Sequence, residues 1–135
     1  MPRAVRLIRS SALSDIAPYA YAATAPKDAR LVFLAGACPL DTEGAVVAAG
    51  DYADQAAQCI DNLVTALAAA DAGISDVVST RVLVASSDRD DLVTAWGVVR
   101  DAFGDHDVPS TLVGVTMLGY VDQLVEIEAI AVIVD

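Results

Sequence analysis

The sequence predicts a single α+β domain in which two helices pack on one face of a mixed six-stranded sheet. Three observations predict it. The 135 residues suit one domain with its own core. Six segments have strand character and two have helical periodicity, in the order strand, strand, strand, helix, strand, helix, strand, strand. No Pro/Gly-rich linker or internal repeat interrupts the chain, so we assign residues 1–135 to one domain.

Strand signals come from apolar alternation and from runs of β-branched and aromatic residues. Short strands are predicted at Ala4–Arg9 and Tyr19–Thr24. The run RLVFLAGACPL (residues 30–40) predicts a buried strand that is stopped by glycine and proline. The last three strands are predicted at Val77–Ala85, in TLVGVTM (residues 111–117) and in LVEIEAIAVIVD (residues 124–135).

Two segments repeat apolar residues at spacings of three and four, which is the pattern of an amphipathic helix. The first runs from Asp51 to about Ala70, with Gly50 and Asp51 as its cap. The second opens with the capping groups of SSDRDD (residues 86–91) and closes at Gly104. Its apolar stripe consists of Leu92, Trp96, Val99 and Phe103.

The terminal strand carries two carboxylates in the most hydrophobic part of the chain. Alternation places Glu126 and Glu128 on one face, opposite an apolar set made of Val125, Ile127, Ala129, Ala131 and Ile133. A buried carboxylate is costly unless it is paired or hydrogen-bonded, so this face is not an ordinary sealed core. The two glutamates have no His or Asp neighbours at a spacing typical of metal ligands. We predict no metal and no cofactor. The single histidine, His106, is expected to be exposed between Asp105 and Asp107.

Composition indicates an oligomer without a nucleic-acid or membrane partner. The hydrophobic fraction of 56% exceeds the needs of a small monomer, and the second sheet face needs a covering subunit. A net charge of −11 repels nucleic acid and anionic membranes. No apolar run approaches the ~20 residues that span a bilayer. MPRAVRLIRSS lacks the features of a secretory signal, so we expect a cytoplasmic protein with Cys38 and Cys59 as reduced thiols.

Several motifs in combination resemble the Rid family, the YjgF-type reactive-intermediate deaminases. They are Pro18–Tyr19, Ala35–Gly36 before PLD (residues 39–41), Gln55, and EIEAIA (residues 126–131), and the similarity runs from about residue 16 to the C-terminus. The resemblance implies a chorismate-mutase-like fold and a homotrimer with a small-molecule cleft between neighbouring subunits.

The resemblance also implies an activity, the hydrolysis of reactive enamines and imines to a 2-keto acid and ammonia without a metal or organic cofactor. Glu126 matches the glutamate that orients or activates water, and Tyr19 matches a tyrosine that lines the cleft. Family deaminases bind the substrate carboxylate with an arginine. Ser110 stands at that position, or Thr111 if the gap is placed differently, and neither can form a charge-assisted fork.

Arg81 is the cation that could replace the missing arginine. On strand parity it shares a face with Val77, Ser79, Leu83 and Ala85. We expect it to form a structural ion pair with Glu126 or Glu128, and the alternative is an anion-binding role. Two functions follow from the sequence. The first is an enzyme that uses Glu126 to activate water, with Tyr19, Ser110, Thr111 and Arg81 around the substrate. The second is a non-catalytic trimer that binds a small metabolite or acts through partners.

Overall fold

The computed structural model describes residues 4–135, and the first three residues of the predicted domain lie outside it. Residues 4–135 form two α-helices and six strands, as the sequence predicts. The helices are α1 (Tyr52–Ala69) and α2 (Arg89–Phe103), and a short 3-10 helix spans Ile74–Asp76. The strands are β1 (Arg6–Ile8), β2 (Ala22–Thr24), β3 (Arg30–Phe33), β4 (Val77–Val84), β5 (Ser110–Gly114) and β6 (Val125–Ile133). The α+β class is confirmed.

The six strands form two sheets, so the prediction of one six-stranded sheet is corrected. Strands β1 and β2 pair with each other, and the other four follow the order β3-β6-β4-β5. Within this larger sheet β4 and β5 are parallel, while β6 is antiparallel to both β3 and β4. The sheet is therefore mixed, and β3 and β5 are its edges. A parallel pair needs a crossover connection, and α2 supplies it here.

Both helices begin at the predicted caps. The Asp51 side chain accepts a hydrogen bond from the backbone N–H of Asp54, and Asp88 accepts one from Asp90. Helix α2 ends at Gly104, whose φ of 59° lies in the left-handed region that favours glycine. The helical stretches are thus fixed by local signals that the sequence displays.

The core lies between the two helices and one face of the four-stranded sheet. Leu63 and Leu67 of α1 and Val99 of α2 pack against Val82 and Ile127 of the sheet. Cys59 is completely buried in the same cluster, as expected for a small apolar side chain. Within residues 4–135, neither helix combines the length and hydrophobicity that crossing a bilayer requires.

The opposite face of the sheet, called here the outer face, is partly apolar and uncovered in the described chain. The strand predicted in residues 30–40 is confirmed at Arg30–Phe33, but its burial is not, since Leu31 and Phe33 are 61% and 72% exposed. The alternation predicted for β6 is confirmed at Glu126 and Glu128, which are half-buried on the outer face. Their neighbour Ile127 is completely buried on the core face.

Two further predictions are corrected. Val77 is completely buried on the core face, because a bulge between Val77 and Ser79 interrupts the parity that would group Val77 with Arg81. His106 is only 2% exposed instead of lying in solvent. Its Nε2 is 2.9 Å from the carbonyl oxygen of Val77, and its Nδ1 has no hydrogen-bond partner. The histidine therefore ties the loop after α2 to the start of β4.

Candidate functional site

Glu126 is held in one orientation by two donors. Its Oε1 accepts hydrogen bonds from the Cys38 thiol and from Nε2 of Gln123, both at 3.1 Å. Gln123 is buried and also donates to the carbonyl oxygen of Val125. Among the described residues, all hydrogen bonds to this carboxylate end on Oε1. The second oxygen is left available to a water molecule or a ligand.

Gly36 leaves the space that the Glu126 carboxylate occupies. Backbone hydrogen bonds in both directions join Ala37 to Ile127, at 2.7 and 3.0 Å, and they bring this segment alongside β6. A Cβ atom at residue 36 would lie 2.5 Å from Oε2 of Glu126 and 2.8 Å from its Cδ. A larger side chain at residue 36 would therefore displace the carboxylate.

Cys38 acts in this cluster as a neutral donor. Burial, followed by the hydrogen bond to Glu126 and its negative charge, raises the pKa of the Cys38 thiol to about 11. Burial likewise raises the pKa of Cys59. Both cysteines are free thiols. At neutral pH the Cys38 sulfur keeps its proton, so it orients the carboxylate and does not serve as a thiolate nucleophile.

A second group of predicted residues surrounds the free edge of β5. Tyr19, Ser110 and Thr111 line a cavity of about 380 Å³ together with Pro18, Trp96 and Leu112. Tyr19 is positioned by its neighbour Ala20, whose N–H donates to the carbonyl oxygen of Asp107 at 2.7 Å. The ring of Tyr19 also contacts Tyr21 edge-on, with centroids 5.9 Å apart.

The family arginine could align with Ser110 or with Thr111, and the side chains of these two residues lie on different sides of β5. The Ser110 hydroxyl lies 2.7 Å from the Thr80 hydroxyl, and Thr80 is buried. Thr111 is exposed and lies opposite Arg81 in the parallel register, which places it on the outer face. Ser110 thus forms a neutral hydroxyl pair, and Thr111 is the residue beside the cation.

Arg81 forms the predicted ion pair with Glu128, its direct partner on β6. The distance between Nη1 and Oε1 is 3.7 Å, and the two side chains are 57% and 39% exposed. Such an exposed pair adds little to stability. Arg81 also lines a second cavity, of about 350 Å³, with Tyr19, Ser110 and Thr111. Four of the five predicted site residues therefore meet around adjoining cavities, and Glu126 is the exception.

Glu126 lines neither of these two cavities. Ser110 is opposite Thr80, which is opposite Ala129, and Glu126 is three residues further along β6. The Cα atoms of Ser110 and Glu126 are therefore about 14 Å apart, because they are separated by two strand spacings across the sheet and three residue rises along it. The side chains of Ser110 and Glu126 also point to opposite faces. One chain does not bring both to the same small molecule.

Sequence reasoning missed three contributors to these sites. The sequence indicates Cys38 only as a reduced thiol and Trp96 only as a core residue, and it contains no signal for Gln123. Trp96 does pack against the core, and it also lines the cavity beside Tyr19. A larger cavity of about 620 Å³ near Ser86, Arg89 and Gly114 contains none of the predicted residues. No cluster of three or more His, Cys, Asp or Glu side chains that could hold a metal occurs within residues 4–135.

Comparisons with known proteins agree with the fold and cover nearly the whole chain. A RutC family protein of Pyrococcus horikoshii is 32% identical over 125 residues, which are 93% of this chain and 94% of that protein. The Rid protein YyfB of Yersinia pestis has a TM-score of 0.85 at 25% identity, covering 96% of this chain and 99% of that one. Escherichia coli TdcF, solved with bound serine, has a TM-score of 0.67 at 27% identity over 96% and 99% of the two chains. The sequence model of the family described as Endoribonuclease L-PSP matches residues 9–133. The chain therefore belongs to this family, which is the YjgF/Rid family.

Proposed function

We propose that this protein hydrolyses enamine- or imine-type metabolites in a cleft between the subunits of a cytoplasmic homotrimer, with Glu126 activating the attacking water. The observation that carries the proposal is the carboxylate of Glu126, which is fixed through Oε1 and has no hydrogen bond to Oε2 among the described residues. A general base must lie within hydrogen-bond reach of the proton that it removes. The open Oε2 meets this condition for a water molecule held on the outer face.

The reaction needs only water and a proton carrier. An enamine first becomes an iminium ion by protonation at carbon. The water oxygen then adds to the iminium carbon while Glu126 takes a proton from the water, which gives a neutral carbinolamine. Glu126 returns that proton to the nitrogen, and the C–N bond breaks as the hydroxyl proton leaves with the ammonia, so that iminium plus water gives a carbonyl compound plus ammonium. No step requires a metal or an organic cofactor.

The positions of the two groups of residues support a cleft between subunits. In one chain the Cα atoms of Ser110 and Glu126 are about 14 Å apart with side chains on opposite faces, and Glu126 lines neither cavity around Tyr19. The outer face carries exposed Phe33 and Ile130, which a neighbouring subunit would cover. We infer that the Glu126 cluster of one subunit faces the Tyr19 cavities of the next, as in a closed ring of heterologous contacts.

The comparisons support a small ligand related to amino acids. Serine is bound in the TdcF structure, and an imino acid has similar size and polarity. We do not extend the proposal to ribonuclease activity, because a chain with a net charge of −11 repels a polyanion. A non-catalytic metabolite-binding trimer remains the competing function, since Ser110 supplies no cation.

The test generates imines with an amino-acid oxidase and follows keto-acid formation with and without this protein, in the presence of a trapping amine that competes for the imine. The proposal predicts faster keto-acid formation and less trapped imine as the protein concentration rises. A rate equal to that of the oxidase alone, with imines of small, apolar and aromatic amino acids, would contradict the proposed hydrolysis and leave the binding function.

A further inference from the structure

Two cavities with different chemistry adjoin at the edge of the sheet. They share Tyr19, Ser110 and Thr111 as a common wall. The first is completed by Pro18, Trp96 and Leu112, and the second by a set that includes Arg81, Ser79 and Thr80. Because β5 is an edge strand, one side of its backbone between the cavities is unpaired and can bind polar atoms of a ligand.

The first cavity suits a flat or branched apolar group. Its volume is about 380 Å³, and no charged side chain lines it. A closed apolar cavity of about 150 Å³ is enough to hold benzene. The rings of Tyr19 and Trp96 offer aromatic surface to such a group, while the Ser110 hydroxyl is already paired with Thr80. A methyl group would leave most of this space unfilled.

The second cavity offers a cation. The Arg81 side chain is 57% exposed, and its contact with Glu128 is long, at 3.7 Å between Nη1 and Oε1. A guanidinium has five N–H donors in a fork that matches a carboxylate, so one long contact leaves most of its capacity unused. Thr111 lies beside Arg81 in the strand register and adds a hydroxyl.

We propose that the site takes 2-imino acids with a large apolar or aromatic side chain, which lies between Tyr19 and Trp96 while the carboxylate binds Arg81. This inference rests on the proposed function and names its substrate class. Arg81 on β4 supplies the positive charge that Ser110 on β5 does not have. The apolar cavity sets the preference for the side chain, so small imino acids are poor substrates.

Glu128 competes with the substrate for Arg81. Its carboxylate occupies one edge of the guanidinium and repels an incoming anion. Removing the charge of Glu128 therefore strengthens anion binding at Arg81, whereas a purely structural pair would lose stability or assembly when either partner is replaced. Arg81→Met therefore lowers the affinity for the substrate carboxylate, and Glu128→Gln raises it.

The experiment measures binding of three non-reacting probes, phenylacetate, phenylacetamide and acetate, by calorimetry on the assembled protein. We expect phenylacetate to bind at least about tenfold more tightly than either of the others, because each of them lacks one of its two contacts. Arg81→Met is expected to remove the difference in affinity between phenylacetate and phenylacetamide. Glu128→Gln is expected to enlarge that difference. Arg6→Met, a matched change at an exposed strand arginine, should leave it unchanged.

Equal affinity for phenylacetate and phenylacetamide in the wild type would overturn the role of Arg81. Equal affinity for phenylacetate and acetate would overturn the role of the apolar cavity. If Arg81→Met fails to assemble, Glu128→Gln still decides, since an unchanged or weaker affinity for phenylacetate contradicts the proposal. The probes are not hydrolysed. Probe binding without imine hydrolysis therefore refutes the proposed function, whereas hydrolysis without the probe pattern refutes this inference alone.

Discussion

Glu126→Gln is expected to lower the rate of imine hydrolysis by about 10²- to 10⁴-fold, the usual contribution of a general base. The amide has the shape of the carboxylate, and its oxygen can still accept from Cys38 and Gln123. It cannot take a proton from water at neutral pH. The loss should appear in kcat, with little change in KM, because the substitution removes an interaction that matters in the transition state.

Glu43→Gln is the matched control for this prediction. Glu43 is exposed in the turn between Asp41 and Ala45 and forms no contact with Glu126 among the hydrogen bonds and ion pairs of the described residues, so the same chemical change there should leave the rate unchanged. Hydrolysis by Glu126→Gln at more than about a tenth of the wild-type rate would show that another group activates the water.

Gly36→Ala is expected to lower the rate by about 10- to 100-fold without unfolding the protein, since a displacement near 1 Å can cost this much. The new Cβ would lie 2.5 Å from Oε2 of Glu126, so the carboxylate must move away from the bonds that orient it. Gly36 is a positioning residue in this account. Gly73→Ala, where an added Cβ meets no atom within 4 Å, is the matched control.

A double-mutant cycle distinguishes an effect of Gly36→Ala on the position of Glu126 from general damage to the site. If Gly36 acts through Glu126, Gly36→Ala has no further effect on the rate in a Glu126→Gln background. A multiplicative loss in the double variant would mean that the alanine harms the site by another route. Unchanged activity in Gly36→Ala alone would show that the carboxylate tolerates the shift.

Much of the fold follows from signals that are local in the sequence. Both helices have aspartate caps, and their apolar stripes have a period that only a helix satisfies. The alternation in residues 124–135 placed Glu126 and Glu128 on the face opposite Ile127, as the structure confirms. These features depend on neighbours along the chain, so no tertiary information is needed to find them.

The predictions that the structure corrects concern residues where segments distant in the sequence come into contact. The run at residues 30–40 is equally apolar whether its own chain or a neighbour covers it, and Phe33 is exposed here. A bulge shifted Val77 to the core face, and bulges have no reliable sequence signal. His106 is flanked by acids, yet its ring is buried against the carbonyl of Val77. Local polarity does not reveal such contacts.

The candidate site shows the same limit. The residue types were found from the motif and the strand pattern, including Glu126 and Arg81. The sequence leaves the partner of Arg81 open between Glu126 and Glu128. The register decides it, because it sets Arg81 opposite both Glu128 and Thr111 and joins three strands that are far apart in the sequence. The roles of Cys38 and Gln123 depend on their contacts with Glu126, which appear only in three dimensions.

The central claim is that one subunit supplies Glu126 and its neighbour supplies the Tyr19 cavity. Co-refolding Glu126→Gln with Tyr19→Ala in equal amounts tests it, with the two variants refolded separately and then mixed as the control. Random assembly of a trimer gives about a quarter of its clefts an intact Glu126 and an intact Tyr19. The account predicts about a quarter of the wild-type rate after co-refolding. A rate no higher than the mean of the two separate variants would contradict a shared site.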